Sequence, residues 1–219
     1  MAIAEISRII IYGLGMKAKK IGLLGGSFDP IHFGHLNLAL ELKEKKSLDE
    51  VWLIPAQINP HKTDTQPVSF EHRFEMARLA IEGVPHFFLN DLESKRSPPS
   101  YTIDTLRLLI ENDRNQGLSN QFYLLLGEDG IRYFSRWHLA EEIVRLVPLA
   151  IGSRFNPDLT SLLSHSEAIQ AAIRKGLTQT RRIDISSTEL RERLSKKLYC
   201  GHLMPSLVLR YIEKNGLYA

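Results

Sequence analysis

Cysteine is almost missing: Cys200 is the single one in 219 residues. One thiol excludes an intramolecular disulfide framework and a Cys-based zinc site. A reducing, cytoplasmic location is therefore expected. Long apolar runs are missing too. None approaches the roughly 20 residues needed to span a membrane, so no membrane partner is expected. Charge of one sign is not in excess, since 28 Lys and Arg face 25 Asp and Glu for a net +3. That is too weak a field to imply nucleic-acid binding. No internal repeat, low-complexity tract or long linker is visible. What remains, 43% hydrophobic and 24% charged, is ordinary for a soluble globular enzyme and excludes a disordered or collagenous chain.

The first residues, MAIAEISRIIIYGLGMKAKK, carry an apolar patch at Ile9–Tyr12 with Glu5 and Arg8 before it and three lysines after it. A secretory signal has the reverse order of charge and a small-residue cleavage site. Residues 1–16 are expected to be a loosely attached extension, and Met16 is an equally good start. Residues 17–219 are expected to form one domain, in keeping with roughly 100–200 residues per domain.

Apolar patterning predicts strands at Lys20–Leu24, Glu50–Pro55, Phe87–Leu89, Gln121–Leu126, Leu146–Gly152 and Arg182–Ile185. Helical spacing predicts helices at His35–Lys46, Ser69–Gly83 (capped by Ser69), Tyr101–Asn112, Leu139–Arg145, Ala168–Lys175, Ser187–Lys197 and Pro205–Lys214. SKRSPPS at Ser94–Ser100 reads as a loop, because Pro98 and Pro99 cannot join a helix interior. The alternation implies an α/β fold, a Rossmann-like doubly wound parallel sheet with helices on both faces. Ligands of such sheets bind beyond the carboxyl ends of the strands, where strand order reverses.

GGSFDPIHFGH (Gly25–His35) ends the first strand and opens the first helix. Gly25 and Gly26 predict a tight turn whose bare backbone approaches a ligand. The helix behind it aims its positive end at the same place. His32 and His35, three residues apart, would share a helical face and donate to an anion. A histidine pair can also bind metal, and a Gly-Gly turn can be only a turn. The string has neither the GK[ST] ending of a Walker loop nor the three-glycine spacing of GxGxxG.

ISSTELR (Ile185–Arg191) carries a second signal. Ser186 and Glu189 have capping-box spacing. That leaves Ser187, Thr188 and Arg191 unexplained, and hydroxyls with an arginine at a helix start form an anion cradle. Between Arg174 and Lys197 stand eight Lys or Arg against three acids. Two cradles and local positive charge suggest a polyphosphate such as ATP.

GG-x-FDP-x-H-x-x-H together with ISSTxxR identifies the chain as a member of the HxGH-type nucleotidyltransferase superfamily. PAQINPHK, PSYTIDTL, LLLGEDGIRYFSRWH and the ending MPSLVLRYIEKNGLY resemble the bacterial nicotinate-nucleotide adenylyltransferases, from about Lys19 to Tyr218. The related pantetheine-phosphate enzymes share the first signature but are shorter and lack the SYTxDTL string and this tryptophan segment. The resemblance implies transfer of the adenylyl group of ATP to nicotinate mononucleotide, giving deamido-NAD and pyrophosphate. It implies nucleotide contact by Gly25, Gly26, Ser27 and Phe28, and phosphate contact by His32 and His35. Ser187, Thr188 and Arg191 would hold the triphosphate, and Gly127 and Asp129 the adenosine ribose. Lys62 would reach the mononucleotide phosphate. Thr102 would meet the nicotinate carboxylate through its backbone, Trp137 would stack on the pyridine ring, and His138 would lie beside it. Mg2+ would ride on the ATP phosphates with no metal ligands from the protein.

Rival readings stay open for single residues: Trp137 as plain core, Asp129 as a turn residue, Lys62 as a solvated lysine, Thr102 as a helix cap. The chain departs from the family at Asn59, often proline, and at His138, often tyrosine. It departs again at Ser153–Asn156, in place of SRPG. Other functions also stay open: adenylyl transfer to pantetheine phosphate or nicotinamide mononucleotide, or non-catalytic nucleotide binding. A homo-oligomer is compatible with the sequence.

Overall fold

The computed structural model describes residues 17–58, 67–96, 99–153, 164–181 and 183–219. The expectations for residues 1–16, Asn59 and Lys62 fall outside that range. Six strands form one sheet in the order β3-β2-β1-β4-β5-β6. They are β1 (Lys20–Gly26), β2 (Glu50–Pro55), β3 (Phe87–Leu89), β4 (Gln121–Gly127), β5 (Leu149–Ser153) and β6 (Leu177–Gln179). Every pairing is parallel. The helices are α1 (Phe33–Lys45), α2 (Phe70–Ala80), α3 (Thr102–Asn115), α4 (Glu128–Arg132), α5 (Ala140–Leu146), α6 (Glu167–Gly176), α7 (Ser187–Ser195) and α8 (Ser206–Lys214).

A parallel sheet covered on both faces needs apolar side chains on both, which is why its strands read as unbroken apolar runs. Neighbouring residues then feed opposite cores. Leu24, Leu53 and Leu125 pack with α1, α2, α7 and α8. Leu23, Ile54, Leu124 and Leu126 pack with α3, α5 and α6. The chain runs outward from β1 to β3 and returns beside β1 as β4. A crevice therefore opens where the carboxyl ends of β1 and β4 diverge, the expected position of a ligand.

Some expectations need correction. Gly25 and Gly26 are not the turn: both stay in β1, paired with Ile54 and Pro55 of β2. The reversal comes at Phe28, with φ 50°. The first helix starts at Phe33 rather than His35, with His32 as an extended N-cap. Ser69 does not cap α2 with its side chain; its hydroxyl serves the Glu71 carboxylate instead. The strand expected at Leu146 begins at Leu149, because Leu146 still closes α5 and Pro148 follows it. Residues 183–185 are not a strand; the sixth strand is Leu177–Gln179, aligned on β5 from Ile151↔Leu177. It starts immediately after Gly176, whose missing Cβ would stand 2.8 Å from the Leu149 carbonyl oxygen. Only a glycine lets α6 end that close to β5.

Candidate active site

The loop after β1 is shaped by contact rather than by glycine freedom. A Cβ on Gly26 would lie 3.0 Å from the Phe28 ring, so the bare strand end lets that ring fold back under it. Phe28 is buried and meets the His35 ring edge-on at 5.2 Å. The His32 and His35 rings stack at 3.8 Å. The His32 backbone N–H donates to His35 Nδ1 over 3.4 Å. A neutral His35 ring accepting there carries its proton on Nε2, where it can serve as a donor. The two imidazoles thus sit across the N-cap and the first turn of α1, not along a helical stripe.

Gly34, the glycine of the His32–His35 string, lies between them. Its Cβ would stand 2.9 Å from His32 Nδ1 and 3.4 Å from the Ile183 carbonyl oxygen. The glycine leaves room for the imidazole on one side and the incoming 183–185 segment on the other.

That segment leads into α7 and joins the two signatures. Ser187 Oγ donates to the Pro30 carbonyl at 3.0 Å. Arg191 Nη1 donates to the Asp29 carbonyl at 2.8 Å and lies 3.8 Å from Asp29 Oδ2. Arg191 Nη2 reaches Thr188 Oγ1 at 3.3 Å. The cap of α7 is simpler than a capping box: the Ser186 hydroxyl accepts from the Thr188 N–H at 3.2 Å. Buried Leu190 anchors the helix in the core. The guanidinium is thus held on Asp29, three residues before His32.

Two cavities flank this junction. One of about 150 Å³ lies over β1 and β4 and is lined by Gly25, Gly26, Tyr101, Thr102, Trp137 and His138, among others. Thr102 is the first residue of α3, and its N-cap Tyr101 makes no side-chain cap bond. The first N–H groups of a helix and its positive dipole end suit a carboxylate. Trp137 packs on Phe134 at 5.1 Å at the edge of the core and also lines the cavity. His138 lies 4.6 Å from the Tyr101 ring. A second cavity of about 160 Å³ is lined by Gly127, Asp129, Gly34, Asn37, Gly152 and Thr180, among others. Asp129 belongs to the short helix α4 rather than to a turn. A Cβ on Gly152 would meet the ends of the Leu38 and Thr180 side chains, so any larger residue there would push them aside.

Two buried charges escaped the reading of the sequence. Arg73, 1% exposed, donates to four carbonyls: Val68 at 3.0 Å, Ser27 at 2.8 Å, Ala56 at 2.7 Å and Gln57 at 2.9 Å. It ties the loop after β1 to the loop after β2. Burial pulls its guanidinium below the usual arginine range, opposed by the nearby Asp29. A signal was available: Arg73 shares the apolar helical face of Ala77 and Ala80. Glu93 lines the first cavity and accepts from Thr105 Oγ1 at 2.9 Å. Burial pushes its carboxyl above the usual range, against the lowering effect of its hydrogen bonds. Among the described residues, no group of three or more His, Cys, Asp or Glu is placed to hold a metal ion.

A six-stranded parallel sheet with a histidine pair at the start of its first helix and an arginine tied to the same loop is the architecture of a nucleotidyltransferase. The matching family model is Cytidylyltransferase-like, over residues 23–193. Nicotinate-nucleotide adenylyltransferase of Bacillus subtilis is 38% identical over 200 residues, covering 91% of this chain and 98% of its own. A probable nicotinate-nucleotide adenylyltransferase of Dehalococcoides mccartyi is 40% identical over 208 residues, covering 93% and 98%. Among solved structures, Plasmodium falciparum nicotinic acid mononucleotide adenylyltransferase complexed with NaAD superposes with a TM-score of 0.71 at 27% identity. That match covers 91% of this chain and 97% of the other. Within the Cytidylyltransferase-like class, the chain belongs to the nicotinate-nucleotide adenylyltransferase family.

Proposed function

We propose that this protein transfers the adenylyl group of ATP to nicotinate mononucleotide, forming deamido-NAD for NAD biosynthesis and releasing pyrophosphate. The observation that carries this reading is the pair of bonds from Ser187 and Arg191 to the carbonyls of Pro30 and Asp29. They bring the two anion-binding stretches to one crevice between two small-molecule cavities.

In the reaction a phosphate oxygen of the mononucleotide bonds to the α-phosphorus of ATP. The bond from that phosphorus to the bridging oxygen breaks, and pyrophosphate leaves with the electron pair. A phosphate monoester has a second pKa of about 6 and is largely a dianion at neutral pH. The nucleophile therefore needs no protein base. The obstacle is bringing anions into line, and positioning contributes on the order of 7–11 kcal/mol in favourable cases. His32, His35, Arg191 and the starts of α1 and α7 supply donors to the phosphates, helped by Ser187 and Thr188. Gly25, Gly26, Ser27 and Phe28 border the nucleotide with their backbone, and Gly127 and Asp129 meet the ribose. Thr102 and Trp137 receive the nicotinate ring, with His138 beside it. Mg2+ carried mainly by the ATP phosphates would supply counter-charge to the triphosphate there. Lys62 reaches for the mononucleotide phosphate. Residues 17–219 act as one domain in the cytoplasm.

The test is pyrophosphate release with ATP, Mg2+ and each acceptor in turn. Nicotinate mononucleotide should be the preferred acceptor over nicotinamide mononucleotide. A helix start favours a carboxylate and leaves an amide NH2 facing donors. Equal kcat/KM for the two would remove the carboxylate assignment. Turnover with pantetheine phosphate alone would reassign the enzyme.

A further inference from the structure

The closing segment NGLY is part of the family resemblance, yet the reaction described above gives it no task. The fold brings its tyrosine to the phosphate loop. Tyr218 Oη donates to Asp29 Oδ1 at 2.6 Å, across 189 residues of sequence. Asp29 is buried, at 7% exposure. Its other carboxylate oxygen and its carbonyl both face Arg191 Nη1, at 3.8 and 2.8 Å. One aspartate thus receives the phenol on one side and the guanidinium on the other. The half-buried phenol sits in the field of Arg191 and Arg73, which favour its ionisation, but burial, followed by Asp29, holds its proton above the usual tyrosine range. At neutral pH the phenol is therefore protonated and donates.

We infer that Tyr218 is a positioning residue for the adenylyl-transfer site, orienting the Asp29 carboxylate so that Asp29 sets the Arg191 guanidinium toward the triphosphate. A carboxylate with a donor on only one oxygen can rotate about its χ2. Losing the phenol hydroxyl would also leave a buried, charged acceptor short of a partner. Arg191 would keep its bond to the Asp29 carbonyl but lose the fixed carboxylate charge that now lies 3.8 Å from Nη1, so its orientation would be less sharply set before phosphate binding. Tyr218 never touches substrate in this scheme; it acts through Asp29 and Arg191.

The inference rests on the adenylyl-transfer reading, so the unaltered enzyme is assayed first: no pyrophosphate from nicotinate mononucleotide and ATP would sink that reading alone. With an active enzyme, Tyr218→Phe, Arg191→Lys and the double variant are compared, each shown folded by near-ultraviolet circular dichroism. Tyr218→Phe should lower kcat about 10-fold, the loss of one hydrogen bond to a charged group. KM for nicotinate mononucleotide should stay within about 2-fold, because that cavity is built by α3 and Trp137. In the Arg191→Lys background the same change should cost less than about 2-fold, because the residue it positions is already compromised. Full kcat in Tyr218→Phe, or an equal loss in both backgrounds, would overturn the inference. So would a Tyr218→Phe chain that fails to fold, since the hydroxyl would then serve the fold alone.

Discussion

Replacing Arg73 by methionine tests whether one buried guanidinium holds the two catalytic loops together. The four carbonyl bonds of Arg73 span 2.7 to 3.0 Å. At roughly 1.5–3 kcal/mol for each bond to a charged group, they sum to about 6–12 kcal/mol. Keeping the cation out of water returns several kcal/mol of that, so the net loss on substitution should be about 3–5 kcal/mol. For a chain of this length each kcal/mol moves Tm by about 2–4 °C, giving an expected fall of about 6–20 °C. Thermal unfolding followed by circular dichroism reads it directly. Arg73→Lys should recover less than half. An ammonium is a single point with three donors and cannot reach the carbonyls of Val68, Ser27, Ala56 and Gln57 together. A methionine variant melting within about 2 °C of the parent would refute the role.

Gly34→Ala should keep or raise Tm, since alanine is the better helix former by about 1 kcal/mol. It should lower kcat about 10- to 100-fold by displacing the His32 ring, because small misplacements of catalytic groups cost up to about 100-fold. A variant with both unchanged would show that the contact is slack. His35→Ala should lower kcat by about 100-fold or more, the usual cost of one transition-state donor, with the melting curve retained. Near-normal turnover would strike His35 from the mechanism. Glu93 has its carboxyl raised by burial from an ordinary 4.5. Its native form holds a proton that the unfolded chain releases earlier. The associated stability is therefore complete below about 4.5 and is lost as pH rises through the raised value. Glu93→Gln keeps the Thr105 bond and should flatten that part of the profile in urea unfolding measured from pH 4 to 7. Parallel profiles for the two proteins would contradict the assignment.

Local sequence was informative wherever local physics set the outcome. The five larger apolar runs became strands because a parallel sheet needs both faces apolar, and the helical stripes became helices near their expected limits. Errors gathered where a distant partner decided. Gly25 and Gly26 read as a turn, but β2 extends along them, and the turn falls at Phe28 because its ring has a place under Gly26. Ile183 and Ile185 alternate like a strand. They serve instead to carry the chain past Gly34, while Leu177–Gln179 takes the sheet edge that α6 delivers it to. Arg73 and Tyr218 went unassigned because they act on loops 16 to 189 residues away in sequence, which no spacing rule encodes.

Residue types and their order along the chain were enough to set the class of chemistry here. Two anion-binding signatures and a parallel α/β pattern pointed to a polyphosphate ligand, and the resemblance those signatures carry implied adenylyl transfer. The joining of those signatures belongs to the folded state alone. Hydrogen bonds such as those from Arg191 and Tyr218 to Asp29 link residues 162 and 189 positions apart. They exist only once the sheet has ordered its strands and brought α7 and the closing segment against the loop after β1.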